Sequence, residues 1–439
     1  RYSTSVKGWQ IAPYVRYFDE MVVNRGFPTQ PYFESAFDDY YSTKRLDVGT
    51  TFNKQFKKSG LKGQFAYNRY DRIKNTFYKD LTTLDEVLSE TTGAQDTSAF
   101  SLINGRLTYQ SIRKKKFDYQ FGCDINFESA KGKRILNEYQ EIGDYAIFTT
   151  AEWKPIKSVI VRPGLRYAYN SVYPAPLTPS LNIKFRHKGF TARAAVAKGF
   201  RSPTLKELYF EFVDINHNIH GNTELLSEDS WNYSLHLDWM RHTSKNYLLK
   251  LSYGVYYNDI NNLITLGLLT EGTNYYSYLN IGDYKTFGNQ LSFDFRSRKL
   301  TVGINTSYIG RFNPDSESED VPEFNFSPEI GSRISYRILN DRLFFNVFYK
   351  YNGPLQSFNI NEDDEIETST QSPYSILDVS SSVRLLQQRQ LHFTIGCKNL
   401  LNVKQINVIG QSQTGHSTTT GLNAGRGISF FVSGTALCT

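Results

Sequence analysis

The stretch Trp231-Asn232-Tyr233-Ser234-Leu235-His236-Leu237-Asp238-Trp239-Met240 alternates apolar and polar residues one by one. Its odd positions are Trp231, Tyr233, Leu235, Leu237 and Trp239, and its even positions are Asn232, Ser234, His236 and Asp238. Successive strand residues point to opposite faces, so this segment is apolar on one side and wet on the other. A soluble sheet would bury the apolar face against a second layer. A transmembrane barrel would turn it to lipid and line a lumen with the polar face.

The alternation recurs along the chain. Tyr247, Leu249, Leu251, Tyr253, Val255 and Tyr257 alternate with Lys250, Ser252, Gly254 and Asn258, and Leu343, Phe345, Val347 and Tyr349 alternate with Arg342, Asn346 and Lys350. Phe344 and Phe348 place two rings on the lumen side of that last strand. Between such segments lie two kinds of connection. One is short and mostly basic, as in Lys57-Lys58-Ser59-Gly60, Lys114-Lys115-Lys116, His187-Lys188-Gly189 and Arg298-Lys299. The other is long and polar, over roughly 20–43, 73–98, 132–142, 201–228, 312–326, 354–373 and 403–425. Short turns on one rim and long loops on the other are the pattern of an outer-membrane barrel. Counting segments gives about eighteen strands, each near the ~9–11 residues that cross a bilayer at a tilt. A run of β-sandwiches has no reason to alternate its connections in this way.

Composition agrees. Aromatic residues make up 15% of the 439 residues, with 31 Tyr and 31 Phe, which suits girdles at two lipid–water interfaces. Mean hydropathy is −0.47 and no apolar run approaches the ~18 residues of a spanning helix, which excludes a helical membrane protein. The net charge of +7 comes without a basic helix, zinc-ligand spacing or RNA-binding aromatic motif, so nucleic acid is not the partner it implies. Cys123, Cys397 and Cys438 are odd in number and far apart, so they do not form a disulfide framework. Cys397 is in phase with Phe393 and Ile395 and reads as an apolar side chain. No Ser/His/Asp set, phosphate loop or His-Glu-x-x-His appears, so the chain does not read as an enzyme.

The stretch 195–232 reads AVAKGFRSPTLKELYFEFVDINHNIHGNTELLSEDSWN. Phe200-Arg201-Ser202-Pro203, Glu207-Leu208 and Gly221-Asn222-Thr223-Glu224-Leu225 with Glu228 resemble a motif pair of TonB-dependent outer-membrane receptors. In that family a strand ends in Gly-Phe-Arg-Ala-Pro-x-x-x-Glu-Leu, and a loop leads to Gly-Asn-Pro-x-Leu-x-x-Glu. Ser202 and Thr223 depart from the usual Ala and Pro. Asn258-Asp259-Ile260-Asn261-Asn262-Leu263-Ile264 and Gly396-Cys397-Lys398-Asn399-Leu400-Leu401-Asn402 resemble further elements of the same family.

The resemblance implies an all-β, transmembrane antiparallel β-barrel of the 22-stranded kind in the bacterial outer membrane. About 18 strands are expected in this chain, with the N-terminal plug and first strands absent. It also implies import of haem or another iron chelate, with cobalamin or a different siderophore as alternative cargo and a passive porin as the rival class. The expected partners are the TonB–ExbB–ExbD complex acting through the plug, outer-membrane lipid and a surface lipoprotein. No intrinsic cofactor is implied; haem would be a transported ligand. Haem receptors of this kind carry an axial histidine in the loop between the two motifs, which here holds His217 and His220, and imidazole is a good haem-iron ligand. His416 is a third candidate, and Tyr275 and Tyr276, in an aromatic-rich loop with Tyr278, could stack on a porphyrin or corrin face. Phe200, Arg201, Pro203, Asn222 and Leu225 carry the family motif. Two acidic stretches, Asp315 to Glu323 and Glu362 to Glu367, read as solvated loop surface without regular Ca²⁺-ligand spacing.

Overall fold

Backbone N–H and C=O groups in hydrocarbon must pair within the protein, and alternating segments too polar for spanning helices can pair only strand to strand. The structure is a computed structural model. It describes residues 4–91, 93–112, 116–213, 218–243, 247–270, 275–312, 323–339, 342–360, 366–385, 391–409, 421–423 and 425–436. Its main sheet has 22 strands. Three are short pieces within connections, Glu86–Leu88, Glu211–Val213 and Asn218–His220. The other nineteen form the wall, from the three-residue Thr4–Val6 through Trp9–Asn24 to Ser429–Ala436. Every wall strand lies antiparallel to its sequence neighbour in the wall. The eighteen expected strands are therefore present, with Thr4–Val6 as an additional stub. Among the described residues no ladder joins that stub to Ser429–Ala436.

The register confirms the two faces. Leu235 lies opposite Ala194 and Val255, and Leu237 opposite Ala192 and Tyr253, so these apolar residues form rows on the outside. Trp231, Tyr233, Leu235 and Trp239 are exposed on that face, as membrane-facing side chains must be in an isolated chain. On the inner face Asp238 accepts from Arg193 Nη1 at 2.6 Å and Ser252 Oγ at 2.8 Å. His236 lies beside them opposite Arg193 and Gly254, a polar wall residue as expected. Phe344 does face the lumen, with the Arg384 and Arg337 guanidinium groups 4.4 and 5.9 Å from its ring. Two of the short turns, Lys7-Gly8 and Lys188-Gly189, have positive φ at both residues. That geometry matches strand twist in a two-residue hairpin and is why glycine fills the second place.

Strand length departs from expectation. The wall strands range from eight residues in Leu391–Lys398 to 24 in Tyr247–Thr270, apart from the initial stub. At ~3.3 Å per residue the longest measures roughly 80 Å, far more than a bilayer crossing needs. Nothing ends a ladder at the interface, because its hydrogen bonds also hold in water. The expected loops 20–43 and 73–98 consequently shrink to 25–34 and 81–94. Tyr275, Tyr276 and Tyr278, expected in a loop, belong to the strand Tyr275–Arg296. The regions 354–373 and 403–425 contribute Leu355–Ile360, Ile366–Gln371, Gln405–Ile409 and Gly421–Asn423 to a separate four-stranded sheet.

The outward row predicts an asymmetric response to charge. Arginine at Leu235 should cost ~2–4 kcal/mol of folding stability in lipid, and arginine at Ser234 much less. Equilibrium folding into phospholipid vesicles measures both, and equal costs would contradict the assignment of faces.

Candidate functional site

At the end of the strand Phe190–Arg201 the chain turns inward and folds across the mouth of the lumen as a shelf. Thr204 starts its one turn of helix, Leu205–Tyr209, with a reciprocal cap. Thr204 Oγ1 accepts from Glu207 N at 3.3 Å, and the Glu207 carboxylate accepts from Thr204 N at 2.7 Å, so two donors at the helix start are satisfied. Leu205 and Leu208 project from this turn into an apolar cluster with Ala130, Ile135, Ile142, Leu225 and Ile264. Pro203 is also fully buried.

The motif residues hold this shelf in place. Arg201 reaches both ends of the segment. Its Nη1 donates to Glu207 at 2.9 Å and its Nε to Glu228 at 2.8 Å. Glu228 also accepts from Ile264 N at 2.8 Å, linking the shelf's exit to the next strand. Asn222 Nδ2 donates to the Tyr278 carbonyl at 2.9 Å, and Asn222 Oδ1 accepts from Glu224 N at 2.8 Å. Leu225 is buried, and its carbonyl accepts from Tyr173 Oη at 2.9 Å, a phenol whose pKa burial pushes up. Phe200 pairs with Asp229 at the top of the wall. These five motif residues, expected as a family signature, are structural anchors.

Two of the expected binding residues meet. Asn218–His220 adds as a short parallel strand to Tyr275–Ser277, and Ser277 Oγ donates to the His220 carbonyl at 3.1 Å. The His220 ring stacks on Tyr275 with centroids 4.8 Å apart and planes at 28°. His220 Nε2 lies 2.8 Å from Asn218 Oδ1. With that oxygen as acceptor the ring proton sits on Nε2, and Nδ1 carries the lone pair a metal would take. Tyr276 faces the opposite side of the ladder from Tyr275. His217 and His416 lie outside the described residues, as do Asp315, Glu317, Glu319 and Asp320. Among the described residues no group of three or more His, Cys, Asp and Glu is placed to hold a metal ion.

A cavity of about 390 Å³ separates the shelf from the inner wall, and sequence reading did not single out its residues. From the wall it takes Arg72 and Lys74 on one strand, with Tyr41 and Asp96 on the neighbouring strands on either side. From the shelf it takes Lys206, Phe210, Phe212 and Ile219, and Arg134 completes it. Arg134 Nε pairs with Asp96 at 3.3 Å and its guanidinium lies 4.9 Å from the Phe212 ring centre. The signal available in sequence was the inner-face run Tyr70, Arg72, Lys74 at period two.

The shelf's stability should depend on its core. Leu208→Ala removes a fully buried side chain and should cost ~2–5 kcal/mol locally. Limited proteolysis should then cut within 202–227 much faster than in the unsubstituted protein, with the wall intact. Unchanged cleavage would show that the segment does not pack as described.

Three solved structures place the fold among known proteins. The siderophore receptor PirA from Pseudomonas aeruginosa is 15% identical with a TM-score of 0.58, covering 98% of this chain and 76% of that one. The copper transporter OprC is 14% identical with a TM-score of 0.66, covering 98% and 72%. The FrpB iron transporter from Neisseria meningitidis (F3-3 variant) is 12% identical with a TM-score of 0.60, covering 99% and 78%. No curated protein matches the sequence. The model of the TonB dependent receptor-like beta-barrel matches residues 1–400. With its antiparallel wall, lipid-facing rows and motif-anchored shelf, the chain belongs to the TonB-dependent receptor family of the Gram-negative outer membrane.

Proposed function

We propose that this chain forms the wall and mouth of a receptor that imports an iron chelate across the outer membrane, driven by the TonB–ExbB–ExbD complex. The observation that carries this reading is the anchored shelf. It narrows the mouth while presenting rings, cations and an imidazole to whatever arrives, which suits capture of a bulky ligand before an energised step. A passive porin gains less from a mouth crossed by a packed segment. Two of the three similar structures above are a siderophore receptor and an iron transporter, which favours iron chelates over cobalamin. A surface lipoprotein that delivers the ligand to the long hairpins is a compatible partner.

Uptake of radiolabelled ferric chelates by cells that carry or lack the full-length receptor tests the reading. Receptor-dependent uptake that vanishes without TonB is the expected result; receptor-dependent uptake that persists without TonB would support a porin instead.

Among the described residues the candidate haem ligand is His220. Its Nδ1 lone pair could take an axial position on haem iron, with Tyr275 stacked against the imidazole. If haem is the cargo, His220→Ala should shift the Soret band of the haem-bound receptor and weaken haem binding about tenfold or more. An unchanged spectrum and affinity, with receptor abundance equal, would remove His220 as the ligand.

A further inference from the structure

The cavity between shelf and wall combines two features that together select a ligand chemistry. The first is excess positive charge. Lys74 pairs with Asp39 at 3.4 Å and Arg134 with Asp96 at 3.3 Å. Arg72 and Lys206 are exposed, and among the described residues neither has a carboxylate partner. Arg72 instead lies with its guanidinium 4.6 Å from the Tyr41 ring centre. The second is a set of aromatic walls, because Tyr41, Tyr70, Phe100, Phe210 and Phe212 all line the space.

We propose that this cavity binds an anionic aryl arm of the iron chelate, one with phenolate or carboxylate oxygens. This rests on the import reading above and names its substrate class. Arg72 and Lys206 meet the anionic oxygens, and the rings cover the aryl faces. The volume of about 390 Å³ lies at the lower end of the ~300–1,000 Å³ range of small-molecule sites, which suits one arm of a chelate better than a whole one. Alternation along Asn218–His220 separates this cavity from the imidazole, because Ile219 faces it and His220 faces Tyr275. Recognition in the cavity therefore uses charge and stacking and does not use axial coordination.

Binding of two ferric probes to the full-length receptor in detergent tests the proposal: a tris(catecholate) complex, anionic and aromatic, and a tris(hydroxamate) complex, uncharged and aliphatic. The receptor should prefer the catecholate, with an affinity that falls as salt rises. The double variant R72Q/K206Q should weaken catecholate binding about tenfold, and R72E/K206E more, because both positions are exposed and their backbone pairing is untouched. Heat-modified mobility on gels, equal to that of the unsubstituted receptor, checks that the variants fold. Folded variants that bind the catecholate normally would overturn the site and leave the import reading standing. Preference for the hydroxamate would overturn the ligand class. Binding of neither probe, with no receptor-dependent iron uptake by cells, would overturn both.

Discussion

A backbone amide left unpaired in hydrocarbon costs several kcal/mol, and this constraint organises the whole molecule. It forces the chain into one uninterrupted series of antiparallel ladders. Once the ladders exist, alternation delivers every second side chain to lipid and every other one to the lumen. The lipid face needs only apolar residues with aromatic rings at its borders. The lumen face must satisfy its own charges, and it does so across strands. Asp124, for example, lies between the Arg106 and Arg166 guanidinium groups, which come from two other strands. The same constraint leaves the two edge strands, Thr4–Val6 and Ser429–Ala436, in need of backbone partners wherever they sit in the membrane.

The ladders explain why the apolar core is where it is. A wall one strand thick has no interior of its own, and its outer face is already committed to lipid. The buried apolar cluster is found instead at the mouth, where the shelf folds back on the inner wall. A segment of 26 residues crossing open water would be mobile without such a core. Here a capped helical turn, a bidentate arginine bridge and an asparagine bonded to the neighbouring hairpin fix it at several points. Recognition surfaces profit from that rigidity, because a ligand then does not bear the ordering entropy of the loop that contacts it. The lumen-side cavity and the His220–Tyr275 stack both depend on the shelf keeping this position.

Much of this was legible in the sequence, because a strand in a single-layer wall writes its environment into period two. The lipid-facing row from Trp231 to Trp239, the inward His236 and the ring of Phe344 on the lumen side could all be read from alternation alone. Strand ends could not, since Tyr247–Thr270 continues its ladder into water with no local signal to stop it. The roles within the shelf were also hidden. Pro203, Asn222 and Leu225 mark the family, yet nothing in their spacing says that two are buried and the third bonds a carbonyl 56 residues away. His220 and Tyr275 meet through a parallel pairing, which no hairpin rule anticipates. The cations of the cavity come from a strand, a tight connection and a helical turn, so only the fold gathers them.

Hydrogen exchange along the segment 205–222, followed by mass spectrometry on the full-length receptor in detergent, tests the central claim most directly. If the shelf is anchored as described, the amides of Leu208, Phe210, Gly221 and Asn222, which donate to backbone carbonyls, exchange orders of magnitude more slowly than an open loop. Substituting Arg201 by alanine, which removes the bridge to Glu207 and Glu228, then accelerates exchange in this segment and not in the wall. Rapid exchange throughout 205–222 in the unsubstituted receptor would contradict the account, because a mobile segment could hold neither the cavity nor the stacked imidazole in place.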